Sequence, residues 1–309
     1  MDIFLQQLIN GLVLGAIYAL VALGYTMVYG ILGLINFAHG EVVMIGAMVA
    51  LSVIQLLLGS GVALPGPLIV ALGLLVAIPT CMLLGFSIER VAYRPLRHAP
   101  RLTPLITAIG MSILLQNVAM ILWGRQYISF PALIPATPHQ VGGATITDLQ
   151  IFIVLLAAAI MAGLLYLVHR TRLGRAMRAT SQNPEIAGLM GVNINTVISI
   201  TFVIGSALAA VAGVMVSAYY GIGHYFMGFT LGLKAFTAAV LGGIGNIGGA
   251  MLGGLLLGVI ESLGAGYIGP LTGGFLGSHY QDVFAFLVLI LVLVFRPSGL
   301  LGERVAERA

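Results

Sequence analysis

Asn36-Phe37-Ala38-His39-Gly40-Glu41 brings an amide, an imidazole and a carboxylate into six consecutive positions, immediately ahead of the apolar run VVMIGAMVALSVIQLLL. A charged group at the centre of a membrane helix costs roughly 2.5 to 3.5 kcal/mol on insertion scales, so such a cluster avoids lipid. Asn36 is of a type that caps helices, His39 follows three positions later, and Glu41 falls in the first two turns, where the helix dipole favours negative charge. One reading is a helix start near the cytoplasmic interface; the other is a gate or pathway element built at a helix break from Asn36, His39, Gly40 and Glu41. Gln116, Asn117 and Glu261 are further polar groups in apolar surroundings, each suited equally to an interhelical hydrogen bond or to a pathway. Glu89 and Arg90 close an apolar run ahead of VAYRPLRHAPR and read as an interfacial ion pair among snorkelling arginines.

The spacings that carry enzymatic chemistry are missing. There is no GxxxxGK[ST] phosphate loop, so this chain is not expected to hydrolyse a nucleotide, and no HExxH, CxxC or paired-histidine spacing that points to a metal. Gly242-Gly243 and Gly248-Gly249 lie in an apolar segment without the strand context of a dinucleotide site. Gly245, Gly249 and Gly253 recur at intervals of four, and Gly254 with Gly258 repeats the interval, which predicts a helix face that lets another backbone come close. The rival reading of GGIGNIGG is a discontinuous helix lining a path, with Asn246 as the polar group at the break.

The stretch 170–196 (RTRLGRAMRATSQNPEIAGLMGVNINT) holds a basic segment and then Asn183-Pro184-Glu185, where Pro184 fits the first position of a helix. The following EIAGLMGV predicts a helix of about two turns, too short to be stable alone in water. It needs a partner surface, lipid headgroups or another protein.

The elements that must position these groups are set by composition. Of 309 residues 60% are hydrophobic and 7% charged, against roughly a quarter charged in a soluble domain. Nine acids and thirteen bases cannot cover a globule in water but suffice for the two rims of a membrane protein. Eleven of the bases fall in three short stretches: Arg90, Arg94, Arg97 and Arg101; Arg170, Arg172, Arg175 and Arg178; Arg296, Arg304 and Arg308. That is the pattern of cytoplasmic segments, and it removes nucleic acid as the expected partner of the basic balance. The single cysteine, Cys81, lies in an apolar run and reads as a small buried hydrophobe, which excludes a disulfide framework. The first apolar run lacks a basic leader and is too long for a cleaved signal, so it reads as a retained helix.

Runs long enough to span a bilayer cover roughly 3–29, 33–58, 67–89, 104–123, 149–168, 197–219 and 280–295. Keeping all three arginine stretches on one face requires the Gly-rich region 232–270 to cross twice, or to re-enter and return. Eight or nine crossings result, and about eight to ten membrane segments when broken pieces are counted, with the N-terminus outside. The fold class is all-α: one polytopic helical membrane domain, 1–309, with broken Gly-rich helices. The segment 124–148, with its prolines, is the long outer loop, either a cap or a docking surface for an extracellular partner.

YTMVYGILGLINFAHGEVVMIGA at 25–47, SIERVAYRPLR at 87–97, AIGMSILLQN at 108–117, LGRAMRA and IAGLMGVN in the 170–196 loop, and LKAFTAAVLGGIGNIGGAMLGGLLLG at 233–258 resemble the LivH-type permeases of branched-chain amino acid ABC importers. The likeness covers essentially the whole chain. It implies a bacterial inner-membrane importer of leucine, isoleucine or valine assembled from this chain, a second related permease, two cytoplasmic ATPase subunits and a periplasmic solute-binding protein. ATP and magnesium would belong to the ATPase subunits, with no cofactor on this chain. The loop helix would then be the coupling element, with Glu185, Ala187, Gly188 and Gly191 at the contact and Asn183, Arg175 and Arg178 setting its approach. Relatives in the family carry urea, short amides or other amino acids. The alternative of another class is an ion-coupled secondary transporter or channel, against which the scattered positions of Glu41, Glu89 and Glu261 argue.

Overall fold

The computed structural model describes residues 2–61, 63–97, 99–100, 102–273 and 280–302. Arg101, Arg304 and Arg308 of the basic stretches lie outside them. Along the chain run α1 (Asp2–Leu32), α2 (His39–Gly59), α3 (Gly66–Ile88), α4 (Leu102–Trp123), α5 (Asp148–Arg170), α6 (Arg172–Gln182), α7 (Pro184–Leu189), α8 (Ile194–Tyr220), α9 (Met227–Gly242), α10 (Ile247–Leu271) and α11 (Gln281–Phe295). After α3 the chain continues through a π turn, Glu89–Tyr93, and a 3-10 turn, Arg94–Leu96. Strands are confined to β1 (Ile128–Ser129), β2 (Pro138–Val141), β3 (Ala144–Thr147) and β4 (Ile222–Gly223), with β1 antiparallel to β4 and β2 to β3. The segment 124–148 therefore carries short hairpin structure, and the fold is the expected all-α polytopic bundle.

Among the described residues seven helices are long and apolar enough to cross a membrane, and α9 and α11 are shorter apolar helices of 16 and 15 residues. At about 1.5 Å per residue these two extend roughly 24 and 22 Å, less than the ~30 Å of a hydrocarbon core. The seven long spans have no polar face, as membrane-spanning helices do not, whereas α6 is amphipathic. On α4, Ile106, Ile113, Ile121 and Leu122 are all more than half exposed, an exterior that only lipid or another apolar chain can cover.

The chain divides into two compact units, one from 1–26, 137–165 and 234–309, the other from 27–136 and 166–233. In the second unit α2, α3 and α8 form the core, with small residues at the crossings: a Cβ at Gly46 would stand 2.6 Å from the Ala210 Cα. Cys81 is buried there, its thiol 3.5 Å from the Val42 carbonyl. In the first unit α1 and α10 approach through Gly11 and Gly15 on one helix and Gly254 and Gly258 on the other; a Cβ at Gly15 would lie 2.7 Å from the Leu255 Cα. This is backbone-to-backbone packing of the small-xxx-small kind.

The Gly-rich region 232–270 goes out and returns. α9 ends at Gly242, Gly243 and Gly245 turn with φ of 106° and 95°, and α10 runs back beside α9, Gly253 against Ala238. The turn corrects one expectation: Gly245 is not on the helical packing face with Gly249 and Gly253, because it precedes α10 and supplies a left-handed backbone conformation that a side chain would strain. Gly249 and Gly253 do pack, against Gly242 and Ala238. The carbonyls left open at the end of α9 are capped from the segment after α11, with Leu300 N–H on Leu241 O and Leu301 N–H on Gly242 O, both at 2.9 Å.

Candidate functional site

α1 ends at Leu32, and residues 34–36 are without regular structure before α2 starts at His39. Ala38, not Asn36, occupies the cap position, and it makes no side-chain cap. Asn36 stands too far upstream to cap, and its side chain has a different partner: the buried Tyr93 hydroxyl donates to Asn36 Oδ1 at 2.9 Å. One turn later His39 and Glu41 are both buried, at 2% and 0% exposure. Glu41 Oε1 accepts from Ser112 Oγ at 3.0 Å and from Gln116 Nε2 at 2.7 Å, both on α4.

Glu41 Oε2 has no hydrogen-bond partner among the described residues, and it faces Gly228. A Cβ at Gly228 would come within 2.6 Å of that oxygen and 2.5 Å of the Gly40 carbonyl. Gly40 in turn lies against Gly228 and Gly232. The cluster thus unites Glu41 with Gln116, a contact that the sequence left open, and adds Ser112, Gly228 and Gly232, which are too small and common to signal a site. Asn117 is not part of it: it sits on the exposed side of α4 and donates to its own helix at Ile113 O, 2.8 Å. Asn246 belongs to the other unit, where it caps α10 by accepting from Gly249 N–H at 2.9 Å and donates to Leu301 O at 2.9 Å.

Glu89 is fully buried, and its ion-pair partner is Arg97, not the neighbouring Arg90, which is exposed. The π and 3-10 turns carry Arg97 back over Glu89, whereas Arg90 follows it at a helical step and points away. The other carboxylate oxygen accepts from Ser199 Oγ at 2.6 Å, and Arg97 also donates to Asn195 Oδ1 at 2.5 Å.

Comparison with known proteins decides the family. Residues 7–293 match the family described as "Branched-chain amino acid transport system / permease component". The chain is 50% identical to the high-affinity branched-chain amino acid transport system permease protein BraD of Pseudomonas aeruginosa, over 99% of this chain and 98% of that one. It is 47% identical to the corresponding permease protein LivH of Escherichia coli K12, over 99% and 97%. The chain belongs to this family of permeases. A more distant likeness, 30% over 62% of this chain and 55% of the other, is to the autoinducer 2 import system permease protein LsrC of Escherichia coli.

The permease is a multi-pass membrane protein, and its segment 170–196 folds as two helices. Thr171 caps α6 by accepting from Gly174 N–H, and Arg178 donates to the Val168 carbonyl in the last turn of α5, where a cation also meets the helix dipole. Asn183 caps α7 by accepting from Ile186 N–H at 3.0 Å, Pro184 opens it, and Gly191 ends it with φ of 85°. Arg175, Glu185, Gly188 and Gly191 are exposed. Ala187 is not: at 3% exposure it turns inward, so the outward surface of α7 is formed by Ile186, Leu189 and Met190, exposed by 58%, 87% and 81%. Three adjacent exposed apolar side chains form a patch that asks for a cover. The sequence carried the signal in EIAGLM, an apolar residue on both sides of the small pair.

The permease also holds a charge cluster in the first unit. Lys234 is its one lysine, 7% exposed on α9. Its Nζ lies 2.7 Å from Glu261 Oε1 on α10 and 2.6 Å from Asp282 Oδ1 on α11, 3.4 Å from the Tyr18 hydroxyl and 5.8 Å from the Tyr18 ring centre. Tyr18 donates to Glu261 Oε2 at 3.0 Å. Four helices, α1, α9, α10 and α11, are tied at this point.

Proposed function

We propose that this chain is a membrane-spanning subunit of an ATP-driven importer for leucine, isoleucine and valine in a bacterial inner membrane. The observation that carries the reading is the likeness to BraD and LivH over nearly the full length of all three chains, at 50% and 47% identity. The complete assembly comprises a second related permease, two cytoplasmic ATPase subunits that hold ATP and magnesium, and a periplasmic binding protein that delivers the solute. This chain needs no cofactor or metal of its own. α7 seats in an ATPase cleft through Ile186, Leu189 and Met190, and Gly188 and Gly191 leave room beside them. The polar break with Asn36, His39, Gly40, Glu41 and Gln116 forms the gate or part of the path. Buried polar groups on a broken helix, apart from lipid, support that assignment.

Uptake in a strain lacking this chain, with labelled leucine and labelled urea offered separately, tests the proposal. Restored leucine uptake that collapses on ATP depletion is expected. Urea uptake instead, or leucine uptake that follows an ion gradient without ATP, would overturn it.

A further inference from the structure

α7 and α8 are one corner. Four residues separate them, Val192 N–H donates back to Ala187 O at 3.0 Å, and Asn193 caps α8 by accepting from Thr196 N–H at 3.1 Å. The first turns of α8 therefore move with α7. On α8 the pair Asn195 and Ser199, four apart and so on one face, grips the segment after α3. Arg97 donates to Asn195, Ser199 donates to Glu89, and Glu89 and Arg97 close the ring as an ion pair.

Glu89 opens the π turn and Tyr93 closes it. Tyr93 is 2% exposed, its ring packs on Phe202 of α8 with centroids 5.4 Å apart, and its hydroxyl donates to Asn36. Asn36 O accepts from the His39 N–H at 3.0 Å, the first bond at the start of α2. A set of polar contacts, exposed at Asn195, part-buried around Glu89 and buried at Tyr93, thus runs from the α7–α8 corner to the break that precedes Glu41, with the backbone of the π turn joining Glu89 to Tyr93. π turns inside otherwise α-helical segments recur at functional sites because they place side chains off the helical register.

We infer that Glu89 and Tyr93 are positioning residues that transmit displacement of the α7–α8 corner to Asn36 and so to the polar break. The inference rests on the proposed coupling role of α7 and adds which residues carry the motion onward. The relevant quantity is solute moved per ATP hydrolysed, which a bond that only maintains shape does not change selectively.

The test uses the whole importer, purified through a tag on this chain and reconstituted in proteoliposomes with its binding protein, with radiolabelled leucine and ATP hydrolysis measured together. Tyr93→Phe removes one hydroxyl and keeps the ring on Phe202. It is expected to lower leucine transported per ATP by about tenfold, within the usual range of coupling energies, while ATP hydrolysis stays close to that of the parent. Ser199→Ala should lower the same ratio in the same direction. In a double-mutant cycle, Tyr93→Phe with Asn36→Ala should be no worse than the more severe single change, since both break one link.

A parental ratio in Tyr93→Phe, an equal fall in transport and hydrolysis, or a double variant whose loss is the product of the singles would overturn the inference. Leu189→Asp separates it from the reading it rests on. If that variant keeps its ATPases and its coupled transport, the role of α7 falls. If it loses them while Tyr93→Phe behaves as the parent, only the link through the π turn falls.

Discussion

Lys234 Nζ stands 2.7 Å from Glu261 Oε1, with one partner 7% and the other 1% exposed, so the chain's one lysine is paired in the interior of its unit. Asp282 brings a second carboxylate to the same ammonium at 2.6 Å from a more exposed position at the start of α11. An unpaired ammonium at membrane depth is costly, so the contact is what permits a lysine in α9 at all. The pair ties α9 to α10, the two helices that flank the Gly243–Asn246 turn.

Lys234→Met is expected to destabilise the permease by about 3 to 5 kcal/mol, the usual loss when one partner of a buried pair is removed. Among the described residues it leaves Glu261 with the Tyr18 hydroxyl. Lys234→Met combined with Glu261→Leu should recover part of that loss, because the fully buried carboxylate is then gone and only the half-exposed Asp282 has lost its counterion. Thermal denaturation of the detergent-solubilised protein measures both. A double variant less stable than Lys234→Met would show that the pair does not act as a unit.

The helices and the return of the region 232–270 were legible because they follow from apolar length and from the arginine positions, which are properties of the chain alone. Lys234 stood in view inside LKAFTAAV, yet its meaning depends on Glu261 and Asp282, 27 and 48 positions away, and on Tyr18 in the first helix. Nothing local marks those three as its partners. The Glu89 pairing was misread for a related reason: sequence proximity favours Arg90, and only the π turn brings Arg97 over the carboxylate. Gly245 was placed on a helix face by its interval of four from Gly249, but two neighbouring glycines and Asn246 break the helix before that interval begins. The glycine period and the turn are written in the same residues, and only their backbone angles separate them.

Gly228→Ala should reduce leucine uptake by at least about tenfold while the protein remains inserted. Its Cβ would stand 2.6 Å from Glu41 Oε2 and 2.5 Å from the Gly40 carbonyl, and neither α2 nor the carboxylate can give way without breaking the bonds from Ser112 and Gln116. Glu41→Ala removes the acceptor of both donors and should cost about 1 to 3 kcal/mol of stability, whereas Glu41→Gln keeps an acceptor and should be milder. Uptake and detergent melting, read together, check the three variants. Full uptake in Gly228→Ala would mean that this contact is slack.

The arginine stretches and the outer loop make a topology prediction. With Cys81 replaced, a single cysteine at Thr137 is expected to react with a membrane-impermeant maleimide added from outside, and one at Arg175 only after the membrane is opened. Thr137 is exposed beside Asp148 at the base of the β2–β3 hairpin, and Arg175 is exposed on α6, so both thiols have room to react. Labelling at Arg175 but not at Thr137 would invert the assigned orientation.

The outward face of α7 gives the last prediction. Six residues cannot hold a helix by propensity; the Asn183 cap and the inward Ala187 hold it on the permease, and Ile186, Leu189 and Met190 are left for a partner. Leu189→Asp places a charge on that patch without touching the fold, since the side chain is 87% exposed. It should abolish co-purification of the ATPase subunits while the permease is recovered at normal levels. Gly188→Trp should act in the same direction, because that position is exposed beside Ile194. Ala187→Asp should behave differently and lower the amount of permease itself, because its side chain points into the chain. A lipid-covered helix predicts another pattern: Leu189→Asp would weaken membrane contact slightly and leave the assembly intact. Pull-down of the ATPases with each variant separates the two, and normal recovery with Leu189→Asp and Gly188→Trp together would remove α7 from the coupling surface.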